Sequence, residues 1–263
     1  MAKNRDFGKN EGYLTAIGIL LYLALEQIPW QRFIGNEYIY TGILIGVRAA
    51  YCVVVYLLLR RYHCDFSGIL GDFPHLLWFL PFLLLPFSNF VGGLAEGAQY
   101  AMGISSWLLL MQTFATLFLA ILEEVLFRFL LFSFLAKKMP KIAALFLQAA
   151  IFGLLHLLNL FGGAGVGPTF LQVGYSFANG LVCGLMWGYG GGLILPIFYH
   201  FTFNFFEGDL FRAVYSGPNG TPVWVSNISF AAVAVIYGLL LYFLVLRKYQ
   251  IAPPPEAPEN EEP

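Results

Sequence analysis

Residues 106–135 read SWLLLMQTFATLFLAILEEVLFRFLLFSFL. The stretch is long enough to cross a bilayer, which takes about 20 mostly apolar residues. It carries two adjacent carboxylates and a guanidinium, at Glu123, Glu124 and Arg128. Ionisable groups inside such a segment are costly unless they are paired or face a polar cavity. The stretch therefore predicts a membrane helix that contributes to a functional site.

The composition of the whole chain also indicates a membrane protein. Of 263 residues, 59% are apolar and 11% are charged, whereas a soluble domain is roughly half apolar and one-quarter charged. The net charge is −1 and the basic residues are scattered, so no nucleic-acid partner is expected. Cys52, Cys64 and Cys183 have no C-x-x-C spacing and are interpreted as packing residues.

Further apolar segments predict an all-α membrane protein, a polytopic bundle of about eight transmembrane helices with a buried active site. A single membrane domain is expected over 11–250, with a motif core at 120–206, a cytoplasmic N-terminus at 1–10 and a disordered tail at 251–263. Because no small-residue cleavage pattern follows the first segment, it is expected to be an uncleaved helix. The predicted segments lie near 13–30, 38–59, 74–94, 106–135, 142–161, 169–189, 192–206 and 228–246.

Basic residues predict the orientation, since loops rich in Lys and Arg stay cytoplasmic. Both termini are expected in the cytoplasm, because only Arg32 and Arg212 then lie on the opposite side. The residues on the cytoplasmic side are Lys3, Arg5, Lys9, Arg60, Arg61, Lys137, Lys138, Lys141, Arg247 and Lys248.

Two ionisable groups lie in the first two segments. Glu26 is near the end of the first, where a long side chain can reach the lipid headgroups. Arg48 lies deep in the second and is expected to pair with a carboxylate such as Glu26, or to face polar backbone. Both are interpreted as structural.

The carboxylates of the fourth segment have different expected partners. Residues four apart share a helix face, whereas adjacent residues point about 100° apart. Glu124 can therefore pair with Arg128, while Glu123 has no partner on its own helix. A carboxylate in an apolar site is suited to act as a general base or acid. The structural alternative is an ion pair that holds two helices together.

Histidines and carboxamides follow on later segments. Phe152 and His156 are one helical turn apart, and so are His200 and Asn204, with Asn159 and Asn179 as further polar residues. Counted at about 1.5 Å per residue from the cytoplasmic side, Glu123, His156 and His200 can reach a similar depth. A lone membrane histidine is more often a packing residue than a catalyst, so this agreement supports one shared site without proving it.

The set favours water activation over covalent acyl transfer, since it includes no Ser or Cys nucleophile. In this hypothesis Glu123 and His156 take a proton from water, and His200 and Asn204 stabilise the oxyanion. Catalytic zinc is the competing chemistry, because Glu and two His are a legitimate ligand set. No H-E-x-x-H segment supports zinc, so no cofactor is expected.

Three motifs in this order resemble the CPBP family of CAAX proteases and bacteriocin-processing enzymes, also called Abi proteins. The motifs are Glu123-Glu124-x-x-x-Arg128, Phe152-x-x-x-His156 and His200-x-x-x-Asn204. The resemblance implies an eight-helix intramembrane glutamic endopeptidase. It makes Glu123, His156, His200 and Asn204 catalytic, gives Glu124 and Arg128 supporting roles, and puts Phe152 at the substrate.

The expected partners are membrane lipid and a peptide or protein substrate. The resemblance leaves open which substrate is cleaved, whether it is prenylated, and how it enters the helix bundle. Family frequency favours a bacterial inner membrane, and the oligomeric state stays undetermined. Two rival functions remain. A proton- or ion-coupled transporter would use Glu123, His156 and His200 as a relay and break a helix at Gly190 to Gly192. A catalytically silent immunity or scaffold protein would not need these residues.

Overall fold

The described part of the chain contains eight helical rods, each overlapping one of the segments predicted from the sequence. The computed structural model describes residues 7–26, 33–61, 73–87, 105–189, 192–206 and 223–248. These residues contain helices and no strand, which confirms the all-α class for this part of the chain. The rods are α1 (Phe7–Glu26), α2 (Glu37–Arg61), α3 (Phe73–Leu84), α4 (106–136), α5 (Lys141–Leu155), α6 (Val166–Gly188), α7 (Ile194–Asn204) and α8 (Val223–Leu244).

Short 3₁₀ turns extend three of the rods: Leu85–Phe87 after α3, His156–Leu160 after α5 and Leu246–Lys248 after α8. α1 begins at Phe7, earlier than the predicted start at 13. The predicted tail at 251–263, the residue Cys64 and the pair Gly190-Gly191 lie outside the described residues.

Two stretches of the described chain are long and apolar enough to cross a membrane, Glu37–Arg61 and Lys141–Leu160. Large apolar side chains are exposed on the outer faces of the rods. Leu57 on α2 is 57% exposed and Ile236 on α8 is 59% exposed. Length and composition therefore agree with membrane helices, while the count of eight crossings stays a prediction.

α6 is the rod around which the others pack. It contacts α5 and the turn after it, α7, α8 and the middle of α4. α5 and α6 approach closely because small residues line their contact. A Cβ on Gly180 would lie 2.9 Å from the Ala149 Cα, and one on Gly153 would lie 2.9 Å from the Val173 carbonyl oxygen. Small residues let helix backbones approach each other in this way.

A partly buried ion pair joins α1, α2 and α4. The Arg48 Nε donates to Glu26 Oε1 at 2.8 Å and Nη2 donates to Oε2 at 2.7 Å, while Nη1 donates to the Ala115 carbonyl at 2.9 Å. The predicted pairing of Arg48 with Glu26 is confirmed. Glu26 is therefore turned towards Arg48, while its predicted reach to the headgroups stays a prediction. A bidentate pair is strongly directional, so it fixes α1 against its neighbours.

Gly180→Ala should lower the free energy of unfolding by about 1–3 kcal/mol, the usual effect of overpacking. The added methyl would press on the backbone of α5 at Ala149, which cannot move independently of its helix. Thermal or denaturant unfolding in detergent measures the change.

Gly174→Ala is the matched control on the same helix, since a Cβ there meets nothing within 4 Å. It should leave stability unchanged or raise it by up to about 1 kcal/mol, because alanine favours helix over glycine. Equal destabilisation by both substitutions would contradict the close contact of α5 with α6.

Candidate active site

α4 changes its winding at the predicted site. Ser106–Glu124 is α-helical, Val125–Phe132 is π-helical and Ser133–Ala136 is α-helical again. Glu123 and Glu124 are thus the last two residues before the wide turns begin. π-helical turns are rare and occur frequently at functional sites.

Glu124 contacts the Arg128 guanidinium, which is a cation, and the His200 imidazole, which is a cation when protonated. Its Oε1 lies 2.7 Å from His200 Nδ1, and its Oε2 lies 3.0 Å from Arg128 Nε. The predicted pairing of Glu124 with Arg128 is confirmed as an ion pair. Both side chains are fully buried. Because a buried carboxylate without partners is very unfavourable, these contacts are needed for the fold as well as for any chemistry.

The Arg128 guanidinium is held by charge and packing. Its nitrogens have no hydrogen-bond partner among the described residues, so its contact with Glu124 is electrostatic and not an aligned hydrogen bond. The guanidinium carbon lies 4.6 Å from the centre of the Phe152 ring, within the range of a cation–π interaction.

Glu123 takes its partners from other helices, as its position on α4 requires. The Tyr22 hydroxyl on α1 donates a hydrogen bond to Oε1. Oε2 lies 3.3 Å from His200 Nε2 on α7. The side chain is 4% exposed, so the carboxylate lies in the interior with one oxygen directed to α1 and the other to α7.

His156 also contacts the Phe152 ring. Its Nδ1 is 2.9 Å from the Phe152 carbonyl oxygen. A carbonyl only accepts, so Nδ1 carries the hydrogen, and in the neutral ring Nε2 has a free lone pair. The Phe152 ring contacts both imidazoles edge to face, at centroid distances of 5.2 Å to His156 and 5.8 Å to His200.

Phe152 itself is 3% exposed and also packs on Phe127 at 5.0 Å between centroids. Its contacts make it an apolar neighbour of both histidines. The predicted contact of Phe152 with substrate stays a prediction.

Asn204 is the last residue of α7, one turn beyond His200, and it is partly exposed. The structure therefore brings Glu123, Glu124, Arg128 and His200 into direct contact. It adds His156 through Phe152 and places Asn204 on the next turn of the same helix. Among the described residues, no group of three His, Cys, Asp or Glu side chains is arranged to hold a metal ion.

Residues 105–206 match the family model described as type II CAAX prenyl endopeptidase, Rce1-like. This segment is therefore similar to the CAAX prenyl endopeptidases of that family. The Rce1-like segment runs from the start of α4 to the end of α7, so it contains all three motifs seen in the sequence. No curated protein and no solved structure matches the chain.

Sequence reasoning missed two features of the site. Tyr22 lies on α1, outside the Rce1-like segment, and a tyrosine in a chain that has 15 of them carries no signal of its own. The one feature of the sequence that could have pointed to Tyr22 is its position one helical turn before Glu26. The π-helical turns of α4 were also missed, because Leu and Phe on every side of the segment give no pattern that favours one winding over another.

Arg128→Gln should lower the free energy of unfolding by about 3–5 kcal/mol, the usual effect of removing one partner of a buried ion pair. The Glu124 carboxylate would keep His200 alone as a cationic partner. Arg61→Gln, at the exposed end of α2, is the control and should change stability little. Similar unfolding curves for the two variants would show that Arg128 is not needed to neutralise Glu124.

Proposed function

We propose that the chain is an intramembrane endopeptidase that hydrolyses a peptide bond with water activated by Glu123 and His156. The observation that carries the proposal is the position of His200, whose two ring nitrogens face Glu124 and Glu123 at 2.7 and 3.3 Å. The match to a family of endopeptidases favours hydrolysis over the transporter alternative.

The proposed mechanism uses His200 with a hydrogen on both ring nitrogens. Two carboxylates and the Arg128 guanidinium leave one negative charge in a buried cluster. An imidazolium at His200 brings the sum to zero, the least unfavourable state of an apolar site. Nδ1–H then donates to Glu124, and Nε2–H points to the region of Glu123 where an oxyanion would form.

The reaction follows from these positions. Glu123 takes a proton from water, assisted by the free Nε2 of His156, while the water oxygen attacks the carbonyl carbon. The negative charge moves from Glu123 to the carbonyl oxygen, which accepts hydrogen bonds from His200 Nε2–H and the Asn204 amide. The net charge of the site does not change during this step.

The proton then passes from Glu123 to the amide nitrogen, the C–N bond breaks, and an acid and an amine are released. The Phe152 ring and the apolar walls exclude other water. The substrate is a peptide segment, prenylated or plain. The enzyme itself is a multi-pass membrane protein with both termini in the cytoplasm. The mechanism needs no metal, since the negative carbonyl oxygen accepts hydrogen bonds from His200 and Asn204.

Glu123→Gln should reduce cleavage by about 10²–10⁴-fold, the usual contribution of a general base. The amide is nearly isosteric but cannot accept the proton. Purified protein in detergent is incubated with quenched-fluorescent peptides, prenylated and plain, with and without a chelator.

Glu37→Gln, an exposed carboxylate in the first turn of α2, is the matched control and should retain full activity. Chelator should have no effect. Cleavage retained by folded Glu123→Gln would reject the assigned base, and loss of wild-type cleavage in chelator would favour zinc chemistry.

Asn204→Ala should lower kcat by about 10²–10³-fold with little change in KM, the usual effect of removing one oxyanion donor. The amide is proposed to bind the oxygen only when it becomes charged. Asn159→Ala removes a carboxamide that binds Gln172 at 2.9 Å and should leave kcat close to that of wild type. A rise in KM alone would instead assign Asn204 to substrate binding.

A further inference from the structure

α1 lies outside the Rce1-like segment, yet it reaches the proposed base. The Tyr22 hydroxyl donates to Glu123 Oε1, while Oε2 of the same carboxylate faces His200 at 3.3 Å. The two oxygens are therefore held from opposite sides, one by a helix of the Rce1-like segment and the other by α1.

The phenol is fixed in place by its neighbours. Glu26 lies one turn further along the same face of α1 and binds Arg48 through both carboxylate oxygens. Arg48 also donates to the Ala115 carbonyl on α4, so α1 is joined to the helix that carries Glu123. The Tyr22 ring also packs edge to face on Phe127, at 6.4 Å between centroids.

A hydrogen bond from a phenol to a carboxylate has two effects. It stabilises the ionised form of the carboxylate, because the donor interacts more strongly with the charge than with the neutral acid. It also fixes the rotation of the group, so that the second oxygen keeps its direction. A general base in an apolar site needs both, since it must be free of a proton and directed at the water.

We propose that Tyr22 is a positioning residue of the peptidase site, which holds Glu123 ionised with Oε2 directed to the reacting water. The Glu26–Arg48 pair keeps α1 at the distance that this contact requires. The proposal rests on the proposed function for its catalytic meaning, whereas the effect on ionisation of Glu123 can be measured without any substrate.

Several charged or titratable groups face Glu123 and enter its pH dependence. Tyr22 comes from α1, Arg48 from α2, His156 from the turn after α5, and His200 from α7. Glu26 on α1 acts on Tyr22 and Arg48. Glu124 and Arg128 lie on α4 itself. Tyr22→Phe removes only the hydroxyl of Tyr22, keeps its aromatic ring, and leaves the other groups unchanged.

Tyr22→Phe should lower kcat by about 10–100-fold, the rate equivalent of one hydrogen bond to a charged group, with KM little changed. The acid side of the pH–rate profile should move to higher pH, because Glu123 loses a donor that favours its ionised form. Infrared difference spectra should show a new protonated-carboxyl band at a pH where wild type shows none, and this band should be absent from the Tyr22→Phe/Glu123→Gln double variant.

Tyr51→Phe is the matched control. The Tyr51 hydroxyl donates to the Gly18 carbonyl, so its loss also removes a tyrosine hydrogen bond between α2 and α1 but touches neither carboxylate. It should keep the wild-type pH profile and show no new carboxyl band. Thermal unfolding in detergent compares the stability of the two variants.

An unchanged pH profile together with no carboxyl band in Tyr22→Phe would overturn the proposal. Equal loss of activity and stability in both tyrosine variants would also overturn it, since α1 would then have a purely structural role. If wild type cleaves no peptide, the proposed function fails, while the infrared comparison still decides whether Tyr22 keeps Glu123 ionised.

Discussion

The buried carboxylate of Glu124 is the group on which the other contacts of the site depend. It has no exposure and cannot stay ionised in the interior without compensation. Arg128 provides one partner from the same helix and His200 provides the other from α7. Because both contacts are required, α4 and α7 are held in one relative position. The same contacts bring His200 within reach of Glu123.

Local rules were enough to predict part of this arrangement. The spacing of Glu124 and Arg128 puts them on one helix face whatever the rest of the chain does, and apolar runs locate the helices within a few residues. Arg48 and Glu26 could be paired because a deep guanidinium in an apolar segment needs a carboxylate or polar backbone beside it, and Arg48 has both. In each case the free-energy cost of a badly placed charged or apolar group left few alternative arrangements.

Contacts between helices were harder to predict. Nothing in the spacing of Glu123 shows that its partners come from α1 and α7, since the sequence does not tell which rods are neighbours. Tyr22 is a weakly polar residue that can be buried without a large penalty, so its position required no partner that could be foreseen. The position of Glu26 near a helix end likewise allowed two expectations, a reach to the headgroups and a pair with Arg48.

The π-helical turns of α4 affect more than the residues within them. Beyond Phe132, α4 continues as an α-helix, and there the Ser133 hydroxyl accepts a hydrogen bond from Trp187 Nε1 on α6 at 3.2 Å. Phe134 lies against Gly12 on α1, where an added Cβ would come within 3.0 Å of its ring. The π-helical turns change the rotation of the second half of α4 about the helix axis relative to the first half. The first half directs Glu123 and Glu124 to the site, while the second half directs Ser133 to α6 and Phe134 to α1.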